Sequence, residues 1–290
     1  MRIAALFPGQ GAQKIGMGLS LLEKDSKLER FLEEASDLVG WDVRKVIESG
    51  PKEVLDRTDK CQVAILVVSW ISFCYFRDSV HKEIYATAGL SLGEYGALLS
   101  AEVFDFPTAV KLVDLRGRLM QEASERVSSG MSAVIGLDEM KVRDACDGLD
   151  VYPANFNAPG QIVVSGRLEE LGIVEERLKN LGAKRIVRLS VAGAFHSPLM
   201  SDAQERFNEE LDKVKFNDPR ILVFSSISGE KIDSGEEAKS LLKRQLTSPT
   251  LWQRCVESMC QEVDEFWEME PSGVLRSLMR KSCSKTVNTL

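Results

Sequence analysis

The sequence predicts an α/β protein with a small ferredoxin-like module inserted into a larger body. Three observations carry this. Short apolar runs ending in Gly/Pro turns alternate with helix-period segments through the first hundred residues, the mark of α/β architecture. Between about residues 130 and 191 the rhythm changes to β-α-β-β-α-β, the order of a ferredoxin-like unit. Helix and strand patterns of the first kind then resume.

In chain order, Arg2–Phe7 is an apolar strand closed by Pro8-Gly9. Leu28–Val39 and Thr58–Phe76 read as helices, stopped by Gly40 and Arg77-Asp78. Within the second, Val63–Phe76 is an unbroken run of 14 residues dominated by apolar side chains. Spanning a bilayer takes about 20, so a buried core helix is expected and no membrane. Glu83–Leu90 is a buried strand, Leu92–Ala101 a helix, and Pro107–Arg126 a longer helix. The module comprises strand Ser132–Gly136, helix Asp138–Gly148, strands Tyr152–Phe156 and Gln161–Gly166, helix Leu168–Leu181 and strand Ala183–Val191. Leu168, Leu171, Val174, Leu178 and Leu181 recur at helical spacing and form one apolar face. The body resumes with helix Pro198–Val214 and strands Ile221–Ser225 and Asp264–Met269. The expected domains are therefore 1–128 with 195–290, and 129–194.

Composition narrows the function. The 290 residues carry 37 Lys+Arg against 44 Asp+Glu, a formal charge of −7, and 7% aromatics. An acidic chain without a basic excess argues against nucleic acid as a partner. With only His81 and His196, a multi-histidine metal site is nearly excluded. The six cysteines, at 61, 74, 146, 255, 260 and 283, form no C-x-x-C pair and read as reduced, buried side chains. No leader pattern is visible at residues 2–11, so a cytoplasmic location is expected.

Gly89-Leu-Ser91-Leu-Gly93 is a G-x-S-x-G. Chance alone produces one in about ten chains of this length, so its setting matters more than its spelling. A strand precedes it and a helix follows, which is the elbow that presents a nucleophilic serine above a sheet. The same residues also suit a helix N-cap serine in a glycine-rich turn. Serine needs a base. His81 lies in a polar connector, whereas His196 lies in the tight turn Ala192-Gly-Ala-Phe-His196-Ser-Pro198 and is the better candidate. Arg116 falls on the apolar stripe Ala109–Val113–Met120–Ala123. A buried guanidinium needs an anionic partner, either an internal carboxylate or a substrate carboxylate. Acyl transfer also needs two oxyanion donors. The N–H groups of Leu92, at the start of the elbow helix, and Gln10, in Pro8-Gly9-Gln10-Gly11, are placed to be those donors; an ordinary βα loop is the plainer alternative for the latter.

At these residues the chain resembles the malonyl-CoA:acyl-carrier-protein transacylase family. The likeness rests on Phe7-Pro-Gly-Gln-Gly-Ala-Gln13, Gly89-Leu-Ser-Leu-Gly-Glu-Tyr95, Arg116-Gly117 before Met120-Gln121, Asn155-Phe-Asn-Ala-Pro-Gly-Gln161, Gly193-Ala-Phe-His196 and Arg244-Gln-Leu246. It covers residues 3 to 280. The resemblance implies an α/β-hydrolase-like body with a ferredoxin-like insertion, Ser91 as nucleophile, His196 as base and then acid, Arg116 for the malonyl carboxylate, and Gln10 and Leu92 as oxyanion donors. It further implies that the backbone carbonyl of Gln245 orients the histidine, that no metal or cofactor is needed, and that malonyl-CoA and acyl carrier protein are the partners. Leu90 stands where the family commonly has His, Phe195 follows the malonyl-selective pattern, and Glu268-Met-Glu-Pro-Ser-Gly273 replaces a more glycine-rich turn. A polyketide acyltransferase, a serine hydrolase and an inactive carrier-binding module are the rival readings. Lys184, Arg185 and Arg188, or Arg276, Arg280 and Lys281, are the candidate docking cations. A monomer is favoured.

Overall fold

The computed structural model describes residues 1–80 and 82–290; His81 lies outside the described residues. The chain runs β1 (Ile3–Phe7), α1 (Leu19–Lys24), α2 (Arg30–Val39), α3 (Val43–Ser49), α4 (Lys52–Leu55), α5 (Thr58–Val80), β2 (Ile84–Gly89), α6 (Gly93–Ser100) and α7 (Phe106–Arg126). It continues through β3 (Ser129–Ile135), α8 (Glu139–Cys146), β4 (Val151–Ala158), β5 (Gln161–Arg167), α9 (Leu168–Asn180) and β6 (Arg185–Arg188). Last come α10 (Ser201–Lys213), β7 (Leu222–Phe224), β8 (Lys231–Ile232), α11 (Gly235–Leu242), α12 (Trp252–Glu262), β9 (Glu265–Glu268), α13 (Val274–Met279) and β10 (Val287–Thr289).

Two sheets result. The larger has the order β10-β9-β1-β2-β7-β8, parallel except for the short hairpin partner β8. The smaller, β4-β5-β3-β6, is antiparallel throughout. Its order is that of a ferredoxin-like unit, with α8 and α9 supplying the two crossovers. Leu171, Val174 and Leu178 of α9 bury as the periodicity predicts, but Leu168 and Leu181 at its ends are exposed. The apolar face is thus shorter than the leucine repeat.

The 23-residue α5 exceeds the 14-residue run because polar residues at both ends remain helical. By length and composition alone it could cross a membrane, yet most of its apolar window is buried inside the protein. On α5, Phe73 packs against Phe7 of β1 and Trp70 against Phe106 of α7, and Trp70 stacks on Phe73 at 5.5 Å between centroids. A helix surrounded by protein needs no polar face, which is why α5 is apolar on every side.

One sequence expectation is overturned. Cys260, at the end of α12, and Cys283, after α13, form a disulfide across a Cα separation of 6.2 Å, within the range a bridge requires. The other four cysteines are free and buried. Sequence does not reveal the pairing because its members lie 23 positions apart; the packing of the segment after α13 against α12 brings them together.

Candidate functional site

Parallel pairing of β1 with β2 places Phe7 opposite Gly89, so both strands end side by side. Leu90 N–H donates to Phe7 O at 3.2 Å. The loops leaving these ends, Pro8–Gln10 and Leu90–Ser91, therefore meet at the carboxyl edge of the sheet, where open α/β sheets form their crevices. Glycine is required here by close approach: a Cβ on Gly93 would meet the Pro8 carbonyl oxygen at 2.9 Å and the Phe7 carbonyl nearer still. With that room, α6 starts directly against β1. Ser91, at the bend, has φ 53°, a left-handed conformation that costs an L-residue of this type about 1–2 kcal/mol.

His196 is the second non-glycine residue of the site with positive φ, at 58°. Its Nε2 is 2.7 Å from Ser91 Oγ. Its Nδ1 lies 3.0 Å from Gln245 O and 3.1 Å from Ser248 O. Both carbonyls only accept, so Nδ1 carries the proton and Nε2 presents its lone pair to the serine. Burial and the Arg116 charge push the His196 pKa down to about 4, although the two carbonyls favour the protonated ring. The imidazole is thus neutral and able to take a proton.

Arg116, on α7, is 1% exposed. Its Nη2 donates to Ser91 Oγ at 3.1 Å, its Nη1 to Gln62 Oε1 at 2.7 Å and its Nε to Gln245 Oε1 at 3.1 Å. Because Nη2 donates to Oγ, the serine's own hydrogen is free to point at His196. The guanidinium carbon also sits 5.5 Å from the Tyr95 ring centroid, a cation–π distance. Among the described residues no carboxylate contacts Arg116 directly, so the internal salt bridge open to the sequence is not formed. Burial lowers its pKa from the ordinary value, but a guanidinium stays charged.

Gln10 accepts a hydrogen bond from Gln62 Nε2 at 3.3 Å, joining the first loop to the Arg116 network. The backbone N–H groups of Gln10 and Leu92 have no partner among the described residues, so both remain available. Gln245 does more than its carbonyl suggests. Its side-chain Nε2 donates to Ser91 O at 3.1 Å and to Glu94 Oε2 at 3.2 Å. Buried Gln204 of α10 accepts from Leu246 N at 2.7 Å and thereby anchors the loop that holds it.

The smaller sheet closes the site. Thr250 N donates to Ala154 O and Phe156 N to Thr250 O, both at 2.8 Å, which stitches β4 to the loop carrying Gln245. A cavity of about 230 Å³ opens above Ser91, walled by Met120, Met131, Val163 and Phe195 and by Asn155 and Asn157 of β4. Asn157 Oδ1 is buried there without a hydrogen-bond partner among the described residues. At the mouth, where Val274 is exposed, the cavity is lined by Leu90 and by Val274 and Leu278 of α13. The Glu268–Gly273 turn holds that helix: the buried Glu268 carboxylate accepts from Leu275 N at 2.8 Å and Arg276 N at 3.0 Å. Among the described residues no group of three His, Cys, Asp or Glu side chains could hold a metal ion.

A serine hydroxyl, a neutral imidazole, a buried cation and two open N–H groups within one crevice suit acyl transfer. The acyl transferase domain model matches residues 5–287. The chain belongs to the acyl transferase domain family. Within this acyl transferase family, the malonyl CoA-acyl carrier protein transacylase of Escherichia coli K12 is 36% identical over 285 residues, 97% of this chain and 92% of that protein. The transacylase of the same name from Haemophilus influenzae is 36% identical over 286 residues, with the same coverage. A Vibrio cholerae acyl carrier protein S-malonyltransferase superposes with a TM-score of 0.93 at 35% identity, covering 100% of this chain and 98% of that one. A malonyl-transacylase solved with a type II PKS acyl-carrier protein reaches 0.95 at 34% identity, covering 100% and 96%.

Reasoning from sequence did not single out Gln62, Glu94 or Ser226 as site residues. Two of them leave a signal: Gln62 and Glu94 are polar residues inside helices that are otherwise apolar.

Proposed function

We propose that this acyl transferase moves the malonyl group from malonyl-CoA to the pantetheine thiol of acyl carrier protein in fatty-acid synthesis. The observation that carries this reading is Arg116: a buried cation beside Ser91 Oγ that, among the described residues, touches no carboxylate and engages only three of its five N–H bonds. A neutral acyl group has no use for it. A malonyl carboxylate does, since it can take the open N–H bonds in direct contact and fix the thioester over the serine.

In this reading His196 Nε2 takes the Ser91 proton as Oγ forms a bond to the thioester carbon. The carbonyl oxygen becomes an oxyanion between the N–H groups of Gln10 and Leu92. The C–S bond then breaks, the sulfur leaves with the proton from His196, and a malonyl-serine ester remains. The carrier's thiol reverses the sequence: it gives its proton to His196, its sulfur attacks the ester, and Ser91 recovers the proton. The Gln245 carbonyl holds the imidazole in the required tautomer throughout. The carrier approaches along α13, where Arg276, Arg280 and Lys281 are exposed and unpaired among the described residues, next to Val274 at the cavity mouth. Of the other candidate cations, Arg188 is already held by Glu175 at 2.9 Å.

Incubation with malonyl-CoA followed by intact-mass and peptide mapping tests the reading. One malonyl group on Ser91, discharged by holo carrier protein, is expected; no adduct would overturn it. Because one structural neighbour is bound to a type II PKS carrier, a polyketide carrier is the second reading. Transfer rates to the two kinds of carrier separate them.

A further inference from the structure

Glu94, on the first turn of α6, is completely buried, and the transfer steps above make no use of it. A buried carboxylate is costly unless paired and hydrogen-bonded, so its partners indicate its purpose. Oε1 accepts from Ser225 Oγ, while Oε2 accepts from Ser226 Oγ at 2.9 Å and Gln245 Nε2 at 3.2 Å. Both hydroxyls are themselves acceptors: Ile227 N donates to Ser225 Oγ at 3.0 Å, and Ser91 N to Ser226 Oγ at 3.4 Å. Their protons are therefore left to turn toward Glu94, which among the described residues sees three donors and no acceptor. That is the environment of an ionised carboxylate. Burial pushes its pKa up, and these donors together with the Arg116 charge oppose the rise.

The Gln245 amide stands between the two charges. Its Nε2 faces Glu94, and its Oε1 takes the Arg116 Nε hydrogen at 3.1 Å. Turning the amide over would set its oxygen against Glu94 and the Ser91 carbonyl, and its NH₂ against the guanidinium. The orientation is consequently locked by both ends. A direct carboxylate–guanidinium pair would have occupied the fork that a substrate carboxylate needs. The relay compensates the cation from behind and leaves that fork open.

We infer that Glu94 is the counter-charge and positioning residue of Arg116, acting through the Gln245 side chain to aim the guanidinium at the acyl site of Ser91. The substrate half of this inference rests on the malonyl reading above; the charge pairing does not.

The test uses the full chain with Glu94→Gln, Arg116→Gln and the double variant, in thermal melts and in Ser91 acylation by malonyl-CoA and acetyl-CoA. Each single variant leaves one buried charge uncompensated, so each is expected to melt lower than the parent. The double variant should lose less than the sum of the two and melt above Glu94→Gln alone. Additive losses would overturn the pairing. If Glu94→Gln does not fold, a folded double variant supports the pairing and an unfolded one refutes it. In acylation, Glu94→Gln should lower the malonyl-over-acetyl preference about tenfold and change nothing further when added to Arg116→Gln. An equal fall for both acyl groups would mean a purely structural role and end the positioning claim. If neither donor labels the parent, the malonyl reading fails while the melts still decide the charge pairing.

Discussion

Arg116 Nη2 donates to Ser91 Oγ at 3.1 Å while His196 Nε2 lies 2.7 Å from the same oxygen. One oxygen thus stands between a permanent cation and a neutral base. The cation stabilises the alkoxide character that develops at Oγ, and it also makes the imidazole a weaker base. A substrate anion bound to Arg116 removes that second effect, so binding itself tunes the base.

This coupling fixes a pH signature. In the free protein the His196 pKa lies near 4, against an ordinary 6.5. The kcat/KM for malonyl-CoA, which reports the free enzyme, should show no inflection between roughly pH 5.5 and 7.5. The acid limb of kcat should lie higher, because the bound carboxylate offsets Arg116. Stability follows the same shift. A histidine with a depressed folded pKa leaves the unfolded chain binding more protons between the two values. The His196 contribution is therefore present above about pH 6.5 and lost as pH falls toward 4. Urea titrations across that range should show a slope that His196→Gln lacks. A kcat/KM inflection near 6.5 would refute the assignment.

Replacing Arg116 with alanine should separate charged from uncharged acyl groups. The malonyl kcat/KM is expected to fall by about 100-fold or more, the usual result of deleting one member of a desolvated charge pair. Acetyl transfer should hold or rise, since His196 loses its cationic neighbour and becomes more basic. Steady-state rates with both thioesters provide the check. Equal losses would point to a hydrolase-like site in which Arg116 serves structure alone.

How far the sequence foretold this site follows from the kind of signal each residue leaves. Gly89-Leu-Ser91-Leu-Gly93 announces a local bend, and the sheet places that bend where a strand–turn–helix reading expects it. Arg116 was legible because a charge on an apolar stripe breaks a periodic pattern. His196 stood out by scarcity. Gln62, Glu94 and Ser226 act through partners more than fifty residues away in sequence, and no local period encodes such pairs. The same holds for Cys260 and Cys283. Short elements such as α13 and β10 likewise have too few residues to show a period; packing against the larger sheet defines them.

Docking of the carrier should depend on α13. Arg276 and Arg280 are exposed and unpaired among the described residues, beside apolar Val274 and Leu278 at the cavity mouth. Reversing both to Glu should reduce transfer to an acidic carrier by about tenfold at low salt, with the difference shrinking as salt rises. Acylation by malonyl-N-acetylcysteamine, which lacks the phosphates of CoA, should be unchanged. Arg188→Glu serves as the comparison, because Glu175 already neutralises Arg188. If the α13 reversal leaves carrier transfer at the parent rate, this face is not the dock.

The elbow stores strain at Ser91, and this too can be measured. Its φ of 53° suits glycine, whereas a side chain there costs about 1–2 kcal/mol. Ser91→Ala and Ser91→Gly both remove the hydroxyl and its bonds to His196 and Arg116, so comparing the two isolates the backbone. Ser91→Gly should melt about 2–4 °C above Ser91→Ala. At Ser201, whose φ of −59° is ordinary helix, the same comparison should reverse sign, since glycine weakens a helix relative to alanine. Both elbow variants should be equally inactive. The strain is tolerated because Gly89 lets α6 close on β2 and Gly93 lets it close on β1, and the hydrogen bonds from Ser91 N to Ser226 and from Gln245 Nε2 to Ser91 O hold the bend from both sides. If Ser91→Gly melts no higher than Ser91→Ala, those bonds would have to relax the backbone, and the serine would not be held in a strained presentation.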